Sequence, residues 1–247
     1  MKKTIIALAA CAPLLVALPA QAAAPKAKDP VRALKGQFVA GHGVRFTETT
    51  TLSGQKLKEQ SRKGTFQFNA KGIAAYDIVT TFTPGRHERV VSVGKFSYLS
   101  GGLPPSELPA GKTWAKYRGW SGGGGGFRGQ VINPLEPKTL AALIKRGKLT
   151  KRTITGKITF KELDKLSPWF DEFVPLRMYD DTKVSYTLTL TSAGLVSRVK
   201  SSYAATGVLD ISRYDGKTMT IDSRFTGWGA KTSIKAPDPK KVSFRED

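Results

Sequence analysis

The chain has 247 residues, a length that fits one large domain or two small ones. With 40% hydrophobic and 24% charged residues it can build a packed core and is not a disordered chain. A single cysteine excludes a disulfide framework and a cysteine-based metal cluster, and two distant histidines leave little for a histidine-ligated metal or a Ser-His-Asp triad. The charge is far from balanced: 40 Lys and Arg stand against 19 Asp and Glu, a formal net charge of +21.

The first segment has the form of an address. Lys2 and Lys3 make a positive start, Thr4 to Leu18 is apolar, and Pro19-Ala20-Gln21-Ala22 places small residues at a cleavage site. This is the pattern of a secretory signal peptide over residues 1–22, with a mature chain, 23–247, expected to act outside the cytoplasm as one domain. That apolar run is too short and wrongly flanked for a spanning helix, and no later stretch reaches the ~18 apolar residues one needs. Leu8-Ala9-Ala10-Cys11 also satisfies a lipobox, which would make Cys11 a lipidation site and the protein a membrane-anchored lipoprotein. Its apolar run is only Thr4 to Ala10, and the apolar sequence continues past it to Leu18, which favours ordinary secretion. Without Lys2 and Lys3 the chain still carries 38 bases against 19 acids.

Asp29-Pro30 is suited to open a helix, with Asp as N-cap and Pro at the first helical position; Val31, Leu34 and Phe38 then share a face. The period changes to two in Val44-Arg45-Phe46-Thr47, in Phe66-Gln67-Phe68, along Tyr76, Ile78 and Phe82, and most clearly from Val184 to Leu190. Such alternation predicts antiparallel strands with one buried and one wet face. Ser53-Gly54, Lys71-Gly72, Pro84-Gly85, Ala193-Gly194 and Asp215-Gly216 punctuate the runs as turns. Between the two groups of strands, Pro137 opens a helix over Lys138 to Arg146 with Leu140, Leu143 and Ile144 on one face and Gly147 as its stop. A strand at about Lys151 to Phe160 follows, then a helical turn or two from Lys161 to Leu166, then a helix capped by Ser167-Pro168 and carrying Trp169, Phe170 and Phe173. Gly122 to Gly126 lacks the Lys-Ser/Thr pair of a phosphate-cradling loop and reads as a flexible surface loop.

The carboxylates offer little to an enzyme. Asp171-Glu172 and Asp180-Asp181 are adjacent in sequence, and neighbouring residues of a strand point to opposite faces. His42 sits between glycines and His87 follows a turn; no nucleophile elbow, His-Glu-x-x-His or spaced metal ligands occur, so no catalytic residue, metal or cofactor is expected. The bases are concentrated instead. From Leu108 to Lys161 there is one acid, Glu136, among 12 bases, and Lys145, Arg146, Lys148, Lys151 and Arg152 crowd the end of one helix and the following strand. Cations at a helix C-terminus stabilise the helix itself. The total excess also suits an acidic membrane or an anionic cell-wall polymer. It suits a nucleic acid less, as no nucleic-acid motif is present.

Several segments resemble the LolA-like envelope lipid-carrier superfamily, especially its LppX/LprG-type actinobacterial members. These are Val93 to Leu99 with Leu108 to Trp114, Asn133-Pro134-Leu135-Glu136-Pro137 before Leu140, Ser192 to Val199, and Phe225-Thr226-Gly227-Trp228-Gly229 followed by Ile234-Lys235-Ala236-Pro237. They occur in the family's order and span most of the mature chain. The departure is the lipobox, which stands early here. The resemblance implies an α+β fold, a curved antiparallel half-barrel sheet with helices packed on its concave face, and a monomeric, non-enzymatic carrier that binds lipid or lipoconjugate acyl chains between sheet and helices. On that implication the cavity candidates are Phe66, Phe68, Tyr76, Ile78, Phe96, Tyr98, Leu140, Leu143, Ile144, Leu163, Leu166, Trp169, Phe170 and Phe173. Each is equally suited to be plain core. The alternative is an envelope interaction or regulatory module with a filled interior and no bound lipid; the presence of an apolar cavity of several hundred Å³ separates the two.

Overall fold

The computed structural model describes residues 29–56, 58–102, 108–119, 121–174 and 176–245. The signal-peptide segment and Cys11 lie outside the described residues. Twelve strands form one curved, open sheet: β1 (His42–Leu52), β2 (Gln60–Asn69), β3 (Gly72–Phe82), β4 (His87–Val93), β5 (Phe96–Gly101), β6 (Trp114–Arg118), β7 (Lys148–Thr150), β8 (Thr153–Thr159), β9 (Lys183–Leu190), β10 (Val196–Ala204), β11 (Thr218–Lys231) and β12 (Val242–Phe244). Their order is β12-β6-β5-β4-β3-β2-β1-β11-β10-β9-β8-β7. Every pair is antiparallel except β12 with β6. Two meanders thus run outward from a shared centre, where the long β1 pairs with the long β11 from Leu52↔Met219 to His42↔Lys231.

This topology explains why helices cover one face. The first meander ends at β6, near one edge, and the second begins at β7, the opposite edge, so the chain between them must cross the sheet. The crossing carries α2 (Gly123–Gly126) and α3 (Pro137–Arg146). α4 (Phe160–Asp164) and α5 (Pro168–Phe173) follow β8, and α1 (Pro30–Lys35) packs beside α3. The covered face is the one to which the alternating apolar residues point, since an apolar sheet face must be hidden from water. The buried positions of β1 (Val44, Phe46, Leu52), β3 (Tyr76, Ile78), β9 (Val184, Tyr186, Leu188) and β11 (Met219, Ile221, Phe225) join Leu140, Leu143, Phe160, Leu163, Trp169, Phe170 and Phe173 of the helices in one core.

Local chemistry sets the helix ends as the composition predicts. Asp29 Oδ1 accepts from the Val31 and Arg32 amides at the start of α1. α4 opens one residue earlier than expected, at Phe160, because Thr159 and Glu162 form a reciprocal capping box. Ser167 Oγ accepts from the Phe170 amide and caps α5. The expected strand at 151–160 divides into the short edge strand β7 and β8, turned by Lys151 in the left-handed region at φ 56°.

The oligoglycine run corrects the expectation of a flexible surface loop. Gly122, Gly125 and Gly126 are buried, and the helical turn they form is pressed onto the inner face of β3 and β4. A Cβ at Gly125 would stand 2.4 Å from Thr80 Oγ1, and one at Gly122 2.5 Å from the Phe173 ring. The glycines are there for close approach of backbone to sheet rather than for mobility.

Candidate binding surfaces

The concave interior holds most of the expected cavity residues. Phe66, Phe68, Tyr76, Ile78, Leu140, Leu143, Leu163, Trp169, Phe170 and Phe173 are buried in the common core, with Ile144 and Leu166 half-buried against it. The ring of Trp169 stacks on Phe173, centroids 3.5 Å apart, and this plate sits edge-on to Phe66 (5.5 Å) and Tyr76 (6.1 Å) across the gap between α5 and the sheet. Phe96 and Tyr98 must be taken off the interior list. The register Asp77↔Val91↔Tyr98 puts Tyr98, and with it Phe96, on the outer face with Asp77. Lys116 Nζ lies 3.8 Å from the Phe96 ring centroid. Ser97 and Leu99 are the inward residues of that strand, Ser97 buried with Ser92 beside it and Leu99 in the core. A hairpin's parity is decided by its register, which the alternation of Phe96 and Tyr98 alone does not reveal.

The centre of the interior is ionic, a feature no sequence pattern had flagged. Glu48 of β1 and Arg62 of β2 form an ion pair at 2.6 Å with side chains only 2% and 1% exposed. Ser223 Oγ donates to the second Glu48 oxygen (2.9 Å), Gln130 Nε2 donates to Ser223 (3.2 Å), Ser201 donates to Gln130 Oε1 (2.6 Å), and Trp169 Nε1 donates to the Gln130 carbonyl (3.0 Å). The signal was present. Val44, Phe46, Glu48, Thr50 and Leu52 share one parity, so a carboxylate at the third of these positions points inward with its apolar neighbours. The space left between Phe46, Phe66, Ile132, Trp169 and Phe225 is about 10 Å³.

Two other buried carboxylates tie the crossing segment down. Glu88 of β4 accepts from the Gly124 and Gly125 amides at 2.9 and 3.0 Å, and its burial pushes its pKa above the ordinary 4.5. Glu136 accepts from Ser167 Oγ (2.5 Å), the Trp169 amide (2.8 Å) and Thr139 Oγ1 (2.9 Å), linking the start of α3 to the start of α5; burial raises its pKa as well. These acids hold structure together. The adjacent pairs Asp171-Glu172 and Asp180-Asp181 are exposed, and Arg177 binds Asp171 and Asp164 at 3.3 and 2.8 Å. Among the described residues, no three His, Cys, Asp or Glu side chains stand together as metal ligands.

The basic cluster is exposed throughout: Lys145 and Arg146 end α3, Lys148 lies on the edge strand β7, and Lys151 and Arg152 turn into β8. Arg146 is committed to Glu162 at 3.0 Å. The outer face of the central strands is a second basic region. Arg45, Lys63, Lys200 and Arg224 are exposed there amid Thr47, Thr49, Ser61, Thr65 and Thr81.

No family model matches the sequence, and no curated protein matches it. Among solved structures, the lipoprotein LppX of Mycobacterium tuberculosis matches over 83% of this chain and 96% of its own, at 13% identity and a TM-score of 0.40. A DUF1329 family protein from Desulfovibrio piger matches over 79% and 91%, at 12% identity and a TM-score of 0.24. Likenesses of that size assign neither a family nor a ligand.

Proposed function

We propose that residues 23–247 form a non-enzymatic binding protein of the cell envelope, working outside the cytoplasmic membrane, whose interior is structural and whose anionic partner is met on the outer surface. The observation that carries this reading is the filled interior. The hollow lined by Phe46, Phe66, Ile132, Trp169 and Phe225 holds about 10 Å³, where a small-molecule site needs some 300 Å³ or more, and among the described residues the side chains around it are buried in one core. Its centre is the Glu48–Arg62 network, and an acyl chain laid there would strip polar groups of partners without replacing them. The charge excess supports a polyanionic partner.

A lipid carrier that loads by displacing its cover is the second reading. It is favoured by the Trp169–Phe173 plate, whose rings meet Phe66 and Tyr76 from a six-residue helix. Acyl chains taking the place of those rings would gain roughly 0.8 kcal/mol per CH₂ removed from water. One preparation separates the two readings: protein purified from its native host, examined by native mass spectrometry and then mixed with phosphatidylglycerol vesicles. Intact mass without lipid, no lipid removed from the vesicles, and salt-sensitive vesicle binding support the surface reading. Co-purified or extracted lipid overturns it in favour of the carrier.

A further inference from the structure

The outer face of the six central strands orders its charges in rows. Cross-strand register sets Arg198, Arg224, Thr47, Lys63, Val79 and Arg89 side by side on β10, β11, β1, β2, β3 and β4. The next row on the same face reads Lys200, Asp222, Thr49, Ser61, Thr81 and His87. At the usual strand spacing the first row extends on the order of 24 Å. The two acids of this face are already engaged. Arg198 binds Asp222 through Nε and Nη2 at 2.7 and 2.5 Å, and Arg89 binds Asp77 through Nε and Nη2 at 2.9 and 2.7 Å. Arg198, aided by Arg224 and Lys200, holds the Asp222 carboxyl below its ordinary range, so this acid stays ionised and paired. Arg45, Lys63, Lys200 and Arg224 form no ion pair among the described residues.

Two hollows, of about 390 and 460 Å³, open on this face and share Thr47, Lys63 and Val79, making one continuous depression walled by the unpaired cations. Thr49, Ser61, Thr65 and Thr81 bring hydroxyls to it beside the aliphatic stems of Lys63, Arg45 and Arg224, and Val79 is the only aliphatic side chain among its outward residues. We propose that this face is the docking surface for a flexible phosphodiester-linked polyol chain, running across the strands with phosphates at Arg224, Lys63 and Arg45 and hydroxyls on the threonines. Charge complementarity selects a polyanion. The scarcity of aliphatic and aromatic side chains among its outward residues disfavours a bilayer, which is held by apolar side chains inserted below the headgroups as well as by charge. The absence of an exposed aromatic in the hollows disfavours single-stranded nucleic acid, which is held largely by base stacking.

The inference rests on the surface-binding reading above and assigns it a place. The probe is synthetic poly(glycerol phosphate) of about ten units, titrated by calorimetry against the mature protein between 25 and 200 mM salt. The expected result is binding that weakens with salt. Lys63→Gln/Arg224→Gln should fold normally and lower the slope of log K against log salt by about 1.4, taking about 0.7 per phosphate contact of a flexible strand. Gln at Lys145, Lys148, Lys151 and Arg152 should leave that slope unchanged. Equal binding by Lys63→Gln/Arg224→Gln and wild type overturns the assignment. If the edge-cluster variant is then the one that loses binding, anion recognition at the surface stands and only its location here falls. No binding of the polymer by wild type, with tight binding to phosphatidylglycerol vesicles or to a single-stranded DNA of equal charge, replaces the proposed partner. No binding to any of the three removes both the partner and the surface reading.

Discussion

Glu48 and Arg62 are the residues whose loss would be felt most, because each neutralises the other where water does not reach. Removing one partner of such a pair leaves a buried charge and costs about 3–5 kcal/mol, while replacing both by apolar groups of similar size is near neutral. Arg62→Met alone should therefore lower the urea midpoint sharply, and Glu48→Leu/Arg62→Met should recover most of the loss. Equal destabilisation by the single and double variants would show that the shape of the pair, not its charge, matters. Arg62 Nη1 and Asn133 Nδ2 are buried without partners among the described residues and line the same small cavity. Glu88 supplies a pH signature. Burial raises its pKa, so the stability it contributes is fully present below the ordinary 4.5 and is lost as pH rises through the higher folded value. The difference in unfolding free energy between wild type and Glu88→Gln should fall as pH rises from about 4.5 and then level off. Denaturant midpoints of both proteins across that range measure it, and a difference independent of pH would show that the oligoglycine amides offset the burial completely.

At the scale of elements, the cover is held by apolar contact, by hydrogen bonds and by the buried carboxylates Glu88 and Glu136. α3 presents Leu140 and Leu143 to the sheet, and Tyr186 of β9 donates its hydroxyl to the Leu143 carbonyl at 2.7 Å, closing the end of the helix. Phe170 packs on Phe160 (5.0 Å), whose ring in turn meets Tyr203 (5.3 Å). Leu143→Asp or Phe170→Asp places an unpaired charge among these side chains and should destabilise the protein by several kcal/mol. A melting temperature like that of wild type would mean that the helices do not pack on the sheet. The starts of α1 and α5 were readable because capping is local: Asp29 and Ser167 act on amides two or three residues away, whereas the Thr159 cap of α4 lay inside the expected strand. The oligoglycine turn was not readable, because what fixes it is Glu88, some 36 residues earlier, accepting from its amides.

At the scale of the molecule, charge is arranged at two separate places, the edge formed by β7 with the end of α3 and the outer face of the central strands. The edge cluster has a structural use of its own, since lysines on an edge strand discourage pairing with another chain. Arg146 binds Glu162, and the other four bases form no ion pair among the described residues. Replacing Lys145, Lys148, Lys151 and Arg152 with Gln should leave the fold intact, and it should weaken attachment to phosphatidylglycerol vesicles at low salt by on the order of 1 kcal/mol for each base that reaches the lipid surface. The difference should vanish at high salt and on neutral vesicles, as cosedimentation can show. Unchanged attachment would leave the cluster as edge protection only.

Periodicity and turn chemistry are properties of neighbours, and so the sequence alone determined β1, β2, β3 and β9, the caps of α1 and α5, the inward helical residues from Leu140 to Phe173 and the cationic excess. It also pointed to the curved antiparallel sheet covered by helices, through the order of its motifs. What the tertiary structure decided depends on pairs distant in sequence. Register across β3, β4 and β5 turned Phe96 and Tyr98 outward. The meeting of β1, β2, β10, β11 and the crossing segment joined Glu48, Arg62, Gln130, Ser201 and Ser223 into one network and left a hollow of only about 10 Å³ beside it. The same registers lined up cations spaced through the chain from Arg45 to Arg224, because antiparallel pairing converts positions far apart in sequence into neighbours about 4.8 Å apart.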